Sequence, residues 1–331
     1  MTYDSYLFVH FTGEDRDGAE QVHFAVSRGA SLTEWDLVND GEPVLVSQTG
    51  TGGVRDPFLL RRQDGTWVIL ATDLKVHGIG DFLRAQETGS RDILIWESDD
   101  LVAWEGPRAV TVMDERAGNV WAPESLWSEE LGVYLVYWAS NLYEPGQDRA
   151  VAGSYNRMML STTTDFRTFT PAEVWIDVRR GDGYGTIDST LVREGGVYHR
   201  FTKDEQPDTM LVFQERSVDP LVRTEGRIGA AWELLAEGIG GDDISHGEGP
   251  IVVRALDGRT WLLLVDWPPY GGGTGYRVFE ADDLASGAWR LSADQLPPRL
   301  RHGSVVPITA DERARVTAAW RVRPMGAEAI A

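Results

Sequence analysis

Five short segments of the chain each carry an ionisable side chain next to Pro, Gly or Ser. The ionisable residues are Asp56, Glu124, Asp188, Glu248 and His302, which lie 68, 64, 60 and 54 positions apart. Carboxyl groups that share one depression cannot all ionise at their ordinary pKa, because like charges at short range raise some of the pKa values. A protonated carboxylic acid that faces a carboxylate across a cleft is the pair of groups needed to hydrolyse a glycosidic bond.

Taken singly, each of these residues is more readily explained as a turn or a cap, since Asp before Pro and Glu beside Gly are common in turns. Their shared place in a repeat favours a common site instead. If the five segments are equivalent, the five side chains form one ring, and four members of that ring are carboxylic acids.

The segments begin hairpins. Two β-branched or aromatic runs flank a turn with Gly or Asp at 57–72, 190–202 and 251–264, which predicts antiparallel strand pairs. A second signature follows each hairpin, in which an apolar residue and then an aromatic residue come after a strand end. The five aromatic residues of this signature are Trp35, Trp104, Phe169, Trp232 and Trp289.

A unit of about 60 residues with about four strands, repeated five times, predicts an all-β, five-bladed β-propeller. The segment at 301–308 resembles the start of the other hairpins. We therefore expect this C-terminal strand to join the N-terminal blade and close the ring. Two stacked β-sandwiches are the alternative, but they do not predict five copies of one signature. A single propeller domain over residues 1–331 is expected.

Composition excludes several classes of protein. The 31 Lys and Arg against 52 Asp and Glu give a net charge of −21, which argues against nucleic acid or an anionic membrane as a partner. The absence of Cys excludes disulfides and thiolate chemistry. No apolar stretch reaches the roughly 20 residues of a membrane helix, and no secretion signal is readable. A soluble, cytoplasmic protein is expected, with a mature secreted form as the alternative.

Four motifs resemble those of glycoside hydrolase family 43. They are Arg-Asp-Pro-Phe at 55–58, Trp-Ala-Pro-Glu at 121–124, Ile-Asp at 187–188 and Glu-Gly-Pro at 248–250. They occur in the family's order and span nearly the whole chain. The resemblance implies a five-bladed propeller that hydrolyses glycosides with inversion.

The resemblance also assigns roles to three carboxyl groups. Asp56 matches the general base, Asp188 the residue that orients the acid and tunes its pKa, and Glu248 the general acid. Inversion needs the acid and base roughly 6.5–9.5 Å apart, a gap that separate blades can hold. We expect a negative Asp188 to raise the pKa of Glu248, so that Glu248 stays protonated near neutral pH.

Two further ring positions have open roles. Glu124 stands where many family members carry Asp, and it is predicted either to bond a glycone hydroxyl or to hold Arg55 or Arg301. His302 is predicted to accompany a hydrated calcium ion, as the resemblance implies, or to be a channel histidine bonded to water. Calcium would be held through water and carboxylates. No cofactor is expected to be required for the chemistry.

Aromatic side chains near the motifs are candidates for stacking on sugar rings. Trp121, Trp138, Trp267 and Tyr270 lie beside the ring motifs or in loops after inner hairpins. In contrast, the aromatic residues of the repeat are expected to pack between blades, above all Trp35, Trp104 and Trp289.

Two polar or glycine-rich segments allow two interpretations each. The glycines at 271–273 read as a flexible loop, because no Lys-Ser/Thr pair follows them as a phosphate loop requires. Lys203, Asp204 and Glu205 end an inner hairpin, where they could form surface salt bridges or contact the rim of a pocket.

The sequence therefore predicts an inverting, exo-acting glycosidase that releases a terminal pentose from plant-type polysaccharide or oligosaccharides. α-L-Arabinofuranosidase is the first choice. β-D-Xylosidase and a galactan- or galactofuranose-directed activity are alternatives within the family. A non-catalytic carbohydrate-binding propeller would be expected to lack one of the three carboxyl groups. A retaining fructosidase of family 32 type would carry a different motif around the acid.

Overall fold

The predicted hairpins form, and each provides the inner strands of one sheet. The computed structural model describes residues 2–325. Blade 1 begins with β1 (Ser5–His10), β2 (His23–Ser27) and β3 (Trp35–Val38). Blade 2 contains β4 (Val54–Arg61), β5 (Trp67–Asp73), β6 (Asp92–Ser98) and β7 (Glu105–Thr111). Blade 3 contains β8 (Trp121–Ser128), β9 (Val133–Asn141), β10 (Asn156–Thr163) and β11 (Glu173–Asp177).

The remaining strands complete two more blades and return to the first. Blade 4 contains β12 (Thr186–Glu194), β13 (Val197–Asp204) and β14 (Val212–Ser217). The short β15 (Thr224–Glu225) pairs in parallel with β11 of blade 3, and β16 (Glu233–Ile239) completes blade 4. Blade 5 contains β17 (Glu248–Arg254), β18 (Trp261–Trp267), β19 (Gly275–Ala281) and β20 (Arg290–Leu291). The last strands, β21 (Gly303–Ile308) and β22 (Val322–Pro324), belong to blade 1.

The ring closes as the sequence predicts. The C-terminal β21 pairs antiparallel with β1, from Ser5 opposite Ile308 to His10 opposite Gly303, and is the innermost strand of blade 1. The innermost strands β4, β8, β12, β17 and β21 contact one another in sequence, and β21 contacts β4. This arrangement confirms the five-bladed propeller. The predicted single domain, 1–331, includes residues 1 and 326–331, which lie outside the described residues.

Apolar side chains fill the spaces between blades. Five buried clusters occur among the described residues, each between one pair of neighbouring blades. The five aromatic residues of the repeat each join a different cluster. Trp35 and Trp232 are each 1% exposed. Burial of a large apolar side chain contributes about 1.5–3 kcal/mol, so the repeated aromatic residue is a main reason why adjacent blades adhere.

Helices are few but one is informative. They are α1 (Phe82–Thr88), α2 (Arg149–Ala152) and α3 (Ala310–Ala319). No sequence pattern predicted α3, although Thr309 and Glu312 form a capping box at its start. Val316 of α3 is fully buried between blades 1 and 2. Within residues 2–325, no helix has the length and apolar character needed to cross a membrane.

Candidate active site

The innermost strands of blades 2 to 5 all deviate from regular pairing at the same place. Each has a shift of register there, and one residue with a positive φ near 50°. These residues are Asp56 (51°), Ala122 (49°), Asp188 (53°) and Gly249 (50°). A β-bulge bends its strand and redirects the neighbouring side chains. Positive φ is strained for residues other than Gly and is often found at functional sites.

The bulges show that the ring residues are not equivalent. Asp56 and Asp188 are themselves the bulge residues, whereas Glu248 precedes its bulge residue and Glu124 lies two positions after Ala122. His302 precedes a strand that pairs with β1 without a shift. The prediction of one equivalent ionisable position per blade was therefore wrong in register, because the bulges are invisible in an ungapped alignment.

A pocket of about 440 Å³ lies at this end of the ring. Eight of the predicted site residues line it: Arg55, Asp56, Trp121, Asp188, Glu248, Tyr270, Arg301 and His302. Lys203 and Glu205 also line it, so the pocket-contact interpretation holds for them. Asp204 between them instead binds Arg180, at 2.8 Å.

Asp56 is held next to a cation. Its Oδ1 lies 3.2 Å from His302 Nδ1, and its Oδ2 accepts a hydrogen bond from Thr72 Oγ1 at 2.8 Å. Burial favours the neutral acid, but the charge of His302 outweighs it and lowers the pKa of Asp56. In turn, burial lowers the pKa of His302, but the charges of Asp56 and Asp188 raise it to about 10. The pair is therefore an imidazolium and a carboxylate.

Asp188 connects blade 4 to the start of β17. Its Oδ2 accepts a hydrogen bond from the backbone N–H of Gly249 at 3.1 Å and lies 4.0 Å from His302 Nδ1. Burial raises the pKa of Asp188, although His302 and Lys203 oppose this. The contact next to Glu248 fits the predicted orienting role.

Glu248 is surrounded by donors. Its Oε2 accepts hydrogen bonds from Lys203 Nζ at 2.9 Å and from Tyr270 Oη at 2.5 Å. Its Oε1 accepts one from Arg301 Nη2 at 2.9 Å. Burial would raise the pKa of Glu248, but Lys203 and Arg301 hold it well below its usual range. The expectation that Glu248 is protonated near neutral pH was wrong for this arrangement of the pocket, because these two cations outweigh the effect of burial.

The loop that carries Tyr270 is anchored, which corrects the prediction of a flexible glycine run. A Cβ on Gly271 would lie 2.6 Å from the Cβ of His246, and one on Gly273 would lie 2.0 Å from the backbone oxygen of Trp267. Trp267 Nε1 donates to Gly271 O at 2.9 Å. The glycines allow the loop to pack closely, and the loop places Tyr270 at the pocket, where its Oη contacts Glu248. Trp267 supports this loop and does not line the pocket, so its predicted stacking role was wrong.

Two other predicted contacts are absent. Trp138 is completely buried between blades 2 and 3 and cannot stack on a substrate. Glu124 is 5% exposed and does not line the pocket. It accepts a hydrogen bond from Tyr137 Oη at 3.4 Å, and burial raises its pKa to about 8.

The two arginines that Glu124 was predicted to hold have other partners. Arg55 binds Glu14 and Glu20, at 3.2 and 3.0 Å. Arg301 binds Asp266 and Glu248, at 2.8 and 2.9 Å. Both arginines therefore reach the pocket already neutralised by carboxylates.

Direct calcium ligation does not fit the residues around His302. No three His, Asp or Glu side chains within residues 2–325 are grouped as ligands for a metal ion. The imidazolium of His302 already supplies a positive charge beside Asp56 and Asp188. A calcium ion held through water stays a prediction, and no step proposed below depends on it.

Comparison with known proteins adds a family and a set of similar folds. A family model related to family 43, described as "Probable glycosyl hydrolase domain", matches residues 2–314. An α-L-arabinofuranosidase of Bifidobacterium longum subsp. longum is 34% identical over 205 residues, which is 58% of this chain and 19% of that protein. The chain thus spans about a fifth of this relative.

Solved structures support the fold. An endo-1,4-β-xylanase from Bacteroides thetaiotaomicron superposes with a TM-score of 0.60 at 14% identity, covering 89% of this chain and 92% of that one. A thermostable family-43 glycoside hydrolase superposes with a TM-score of 0.52 at 15% identity, covering 78% and 77%. At such identities, the likeness concerns the propeller alone.

Proposed function

The chain belongs to the glycosyl hydrolase family related to family 43, whose model matches residues 2–314, and from that premise we propose that it is an inverting, exo-acting glycoside hydrolase. The observation that carries the proposal is the convergence of Asp56, Asp188 and Glu248, from three blades, on one pocket. Inversion requires a base and an acid on opposite sides of the sugar.

Asp56 is the proposed general base. Its carboxylate is kept ionised by His302, at 3.2 Å, and oriented by Thr72. The attacking water gives its proton to Asp56 while the oxygen of that water bonds to the anomeric carbon. At the same time the bond between that carbon and the glycosidic oxygen breaks, and the leaving oxygen takes the proton of Glu248. His302 acts as a positioning residue that holds the base charged.

Glu248 is the proposed general acid, and its proton must be acquired when the substrate binds. Lys203 and Tyr270 both donate to Oε2. The substrate displaces Lys203 from Oε2, and Glu248 then takes a proton from solvent and donates it to the glycosidic oxygen. Loss of the Lys203 contact raises the pKa of Glu248, and Asp188 then favours protonation by like-charge repulsion.

α-L-Arabinofuranose is the proposed glycone, supported by the name of the Bifidobacterium relative. β-D-Xylose and galactose-type glycones remain alternatives within the proposal, because small changes in a pocket lining suffice to exchange them. The proposed substrate is an arabinose- or xylose-containing oligosaccharide or polysaccharide. A carbohydrate-binding propeller without catalysis is the second candidate, favoured by the ion pairs that keep Glu248 deprotonated.

The test is hydrolysis of aryl α-L-arabinofuranoside, β-D-xyloside and β-D-galactofuranoside, with the anomer of the product read by proton NMR. We expect release of one sugar with inverted configuration by the unmodified protein, and none by Asp56→Asn or Glu248→Gln. Product with retained configuration would contradict the mechanism. If no aryl glycoside or arabinan is cleaved while the sugar still binds, the binding propeller replaces the enzyme.

A further inference from the structure

Glu205 is a carboxyl group in the pocket to which neither the base nor the acid role applies. It follows β13, lines the pocket beside Lys203 and Trp121, and its backbone N–H donates to Gly185 O at 3.2 Å. Its side chain faces the same space as Asp56 and Glu248, the two groups proposed for the chemistry. Glu205 is only partly buried, so its carboxyl group can contact a ligand as well as its protein partners.

The hydrogen-bond partners of Glu205 are neutral, unlike those of Glu248. Oε1 accepts from Asn156 Nδ2 at 3.1 Å, and Oε2 accepts from the backbone N–H of Gly185 at 3.0 Å. Lys203, whose charge acts on Glu205, directs its Nζ to Glu248 and to Tyr270, at 2.9 Å each. Each oxygen of Glu205 therefore has one donor and keeps capacity for another.

A buried ladder of asparagine side chains fixes the position of Asn156. Asn141 Nδ2 donates to Asn156 Oδ1 at 2.9 Å, and the backbone N–H of Asn141 donates to Asn119 Oδ1 at 2.7 Å. Asn119, Asn141 and Asn156 are 0%, 4% and 1% exposed. Since Asn156 Oδ1 is already an acceptor in this ladder, its amide N–H₂ must point to Glu205. Burying three amides to orient one carboxyl group indicates that the orientation matters.

We propose that Glu205 is the glycone-recognition residue of this pocket, which accepts a hydrogen bond from one sugar hydroxyl and so selects glycones that carry it. The proposal rests on the proposed function and deepens it. A hydroxyl group is the ligand chemistry that fits, because each carboxyl oxygen of Glu205 has one recorded donor and can accept another hydrogen bond. Burial raises the pKa of Glu205, and the charge of Lys203 opposes this in part.

The experiment is a double-mutant cycle between the protein and the sugar. Aryl α-L-arabinofuranoside and its 2-deoxy, 3-deoxy and 5-deoxy analogues are hydrolysed by the unmodified protein, by Glu205→Ala and by Glu205→Gln. We expect one deoxy analogue to lose about 10- to 100-fold in kcat/KM with the unmodified protein, as a hydrogen bond to a charged group would give. With Glu205→Ala, removal of the same hydroxyl group should hardly lower kcat/KM further. Glu205→Gln should restore part of the difference in kcat/KM between the parent and the deoxy substrate.

The control is Glu233→Ala, which removes an exposed carboxylate of blade 4 that binds Arg216 and does not line the pocket. Its ratio between the parent and deoxy substrates should equal that of the unmodified protein. Equal losses for every deoxy analogue with and without Glu205 would overturn the proposal. So would a Glu205→Gln variant that loses the alkaline limb of its pH profile, because Glu205 would then be the proton donor.

Equilibrium binding separates this proposal from the proposed function. Titration calorimetry of methyl α-L-arabinofuranoside and its deoxy analogues against Asp56→Asn, with and without Glu205→Ala, measures the same coupling without hydrolysis. Coupling in binding without any hydrolysis by the unmodified protein would support the recognition role and contradict the enzyme. Hydrolysis by the unmodified protein without coupling in binding would support the enzyme and contradict the recognition role of Glu205.

Discussion

Charged side chains in the pocket are arranged in pairs that determine which group carries a proton. His302 pairs with Asp56, and Lys203 and Arg301 pair with Glu248. These pairs favour the ionised form of both the proposed base and the proposed acid. An inverting reaction therefore requires Glu248 to gain a proton, and we expect the substrate to displace Lys203 from Oε2 so that this can happen.

Replacement of Lys203 by Met should shift the proposed acid toward protonation. An opposite charge at this range lowers the pKa of a carboxyl group by about 1–3 units, so its removal raises the pKa of Glu248 and moves the alkaline limb of kcat/KM to higher pH. Arg301 and Tyr270 still lower that pKa, while Asp188 and Asp266 raise it. The measurement is a pH–rate profile. Lys75→Met, which replaces the other lysine of the chain, should leave both limbs in place.

Replacement of His302 by Gln should act on the base. Without the imidazolium, burial dominates at Asp56 and its pKa rises, so the acidic limb of kcat/KM moves to higher pH.

The same variant should also change the pH dependence of stability. The pKa of His302 in the folded protein is about 10, so its charge contributes to the free energy of unfolding in full below about pH 6.5. This contribution is lost as the pH rises toward 10. Urea unfolding of both proteins at pH 6 and 10 should show the larger difference at pH 6; equal differences would contradict this.

At the scale of the element, the β-bulge is the feature that forms the site. Four innermost strands bend at the pocket, and the bend brings Asp56, Asp188 and Glu248 toward a common space. The backbone strain in two of these bulges is borne by aspartates with φ of 51° and 53°. The bulge of β17 uses a glycine instead, since His302 occupies the space that a side chain would need.

A Cβ at Gly249 tests this packing. It would lie 2.6 Å from the ring of His302, so Gly249→Ala must displace the ring or the strand. Gly258→Ala is the matched control, because Gly258 also has a positive φ, 70°, but no atom within 4 Å of its ideal Cβ. The control should lose about 1–2 kcal/mol of unfolding free energy from the φ penalty. Gly249→Ala should lose about 2 kcal/mol more and reduce activity; equal losses would refute the steric role.

At the scale of the whole molecule, the fold is a closed ring whose two chain ends share one blade. Blade 1 is held by β21 paired with β1, and by α3, which packs between blades 1 and 2. Glu312 of α3 binds Arg61 of blade 2 through both oxygens, at 2.6 and 2.9 Å, and also closes the capping box. The closure therefore combines a strand pair, a buried helix face and an ion pair.

Glu312→Gln should weaken this closure. The side chains of Arg61 and Glu312 are 18% and 8% exposed, so the variant leaves a largely buried arginine without its carboxylate. The free energy of unfolding should fall by about 3 kcal/mol. The exposed pair of Arg216 and Glu233 has similar two-point geometry. Its loss in Glu233→Gln should cost at most about 1 kcal/mol. Chemical denaturation measures both, and equal losses would show that burial is irrelevant here.

The sequence by itself determined the architecture and most of the pocket's membership. The repeated aromatic residue predicted the five blades because each copy packs in an apolar contact with a neighbouring blade. Eight of the predicted site residues line the pocket. Local patterns are sufficient for such features, because strands and turns depend on residues close in sequence and the aromatic residue recurs at one place in each blade.

Only the tertiary structure decided the charge states and contacts in the site. Lys203 lies 45 positions from Glu248 and 98 positions from Arg301 along the chain. Both Lys203 and Arg301 nevertheless bind Glu248. Trp138 follows the same kind of pattern as Trp121 but points between blades. Electrostatic and packing energies sum over every neighbour within a few ångströms. In a propeller those neighbours come from different blades, and the bulges set their positions.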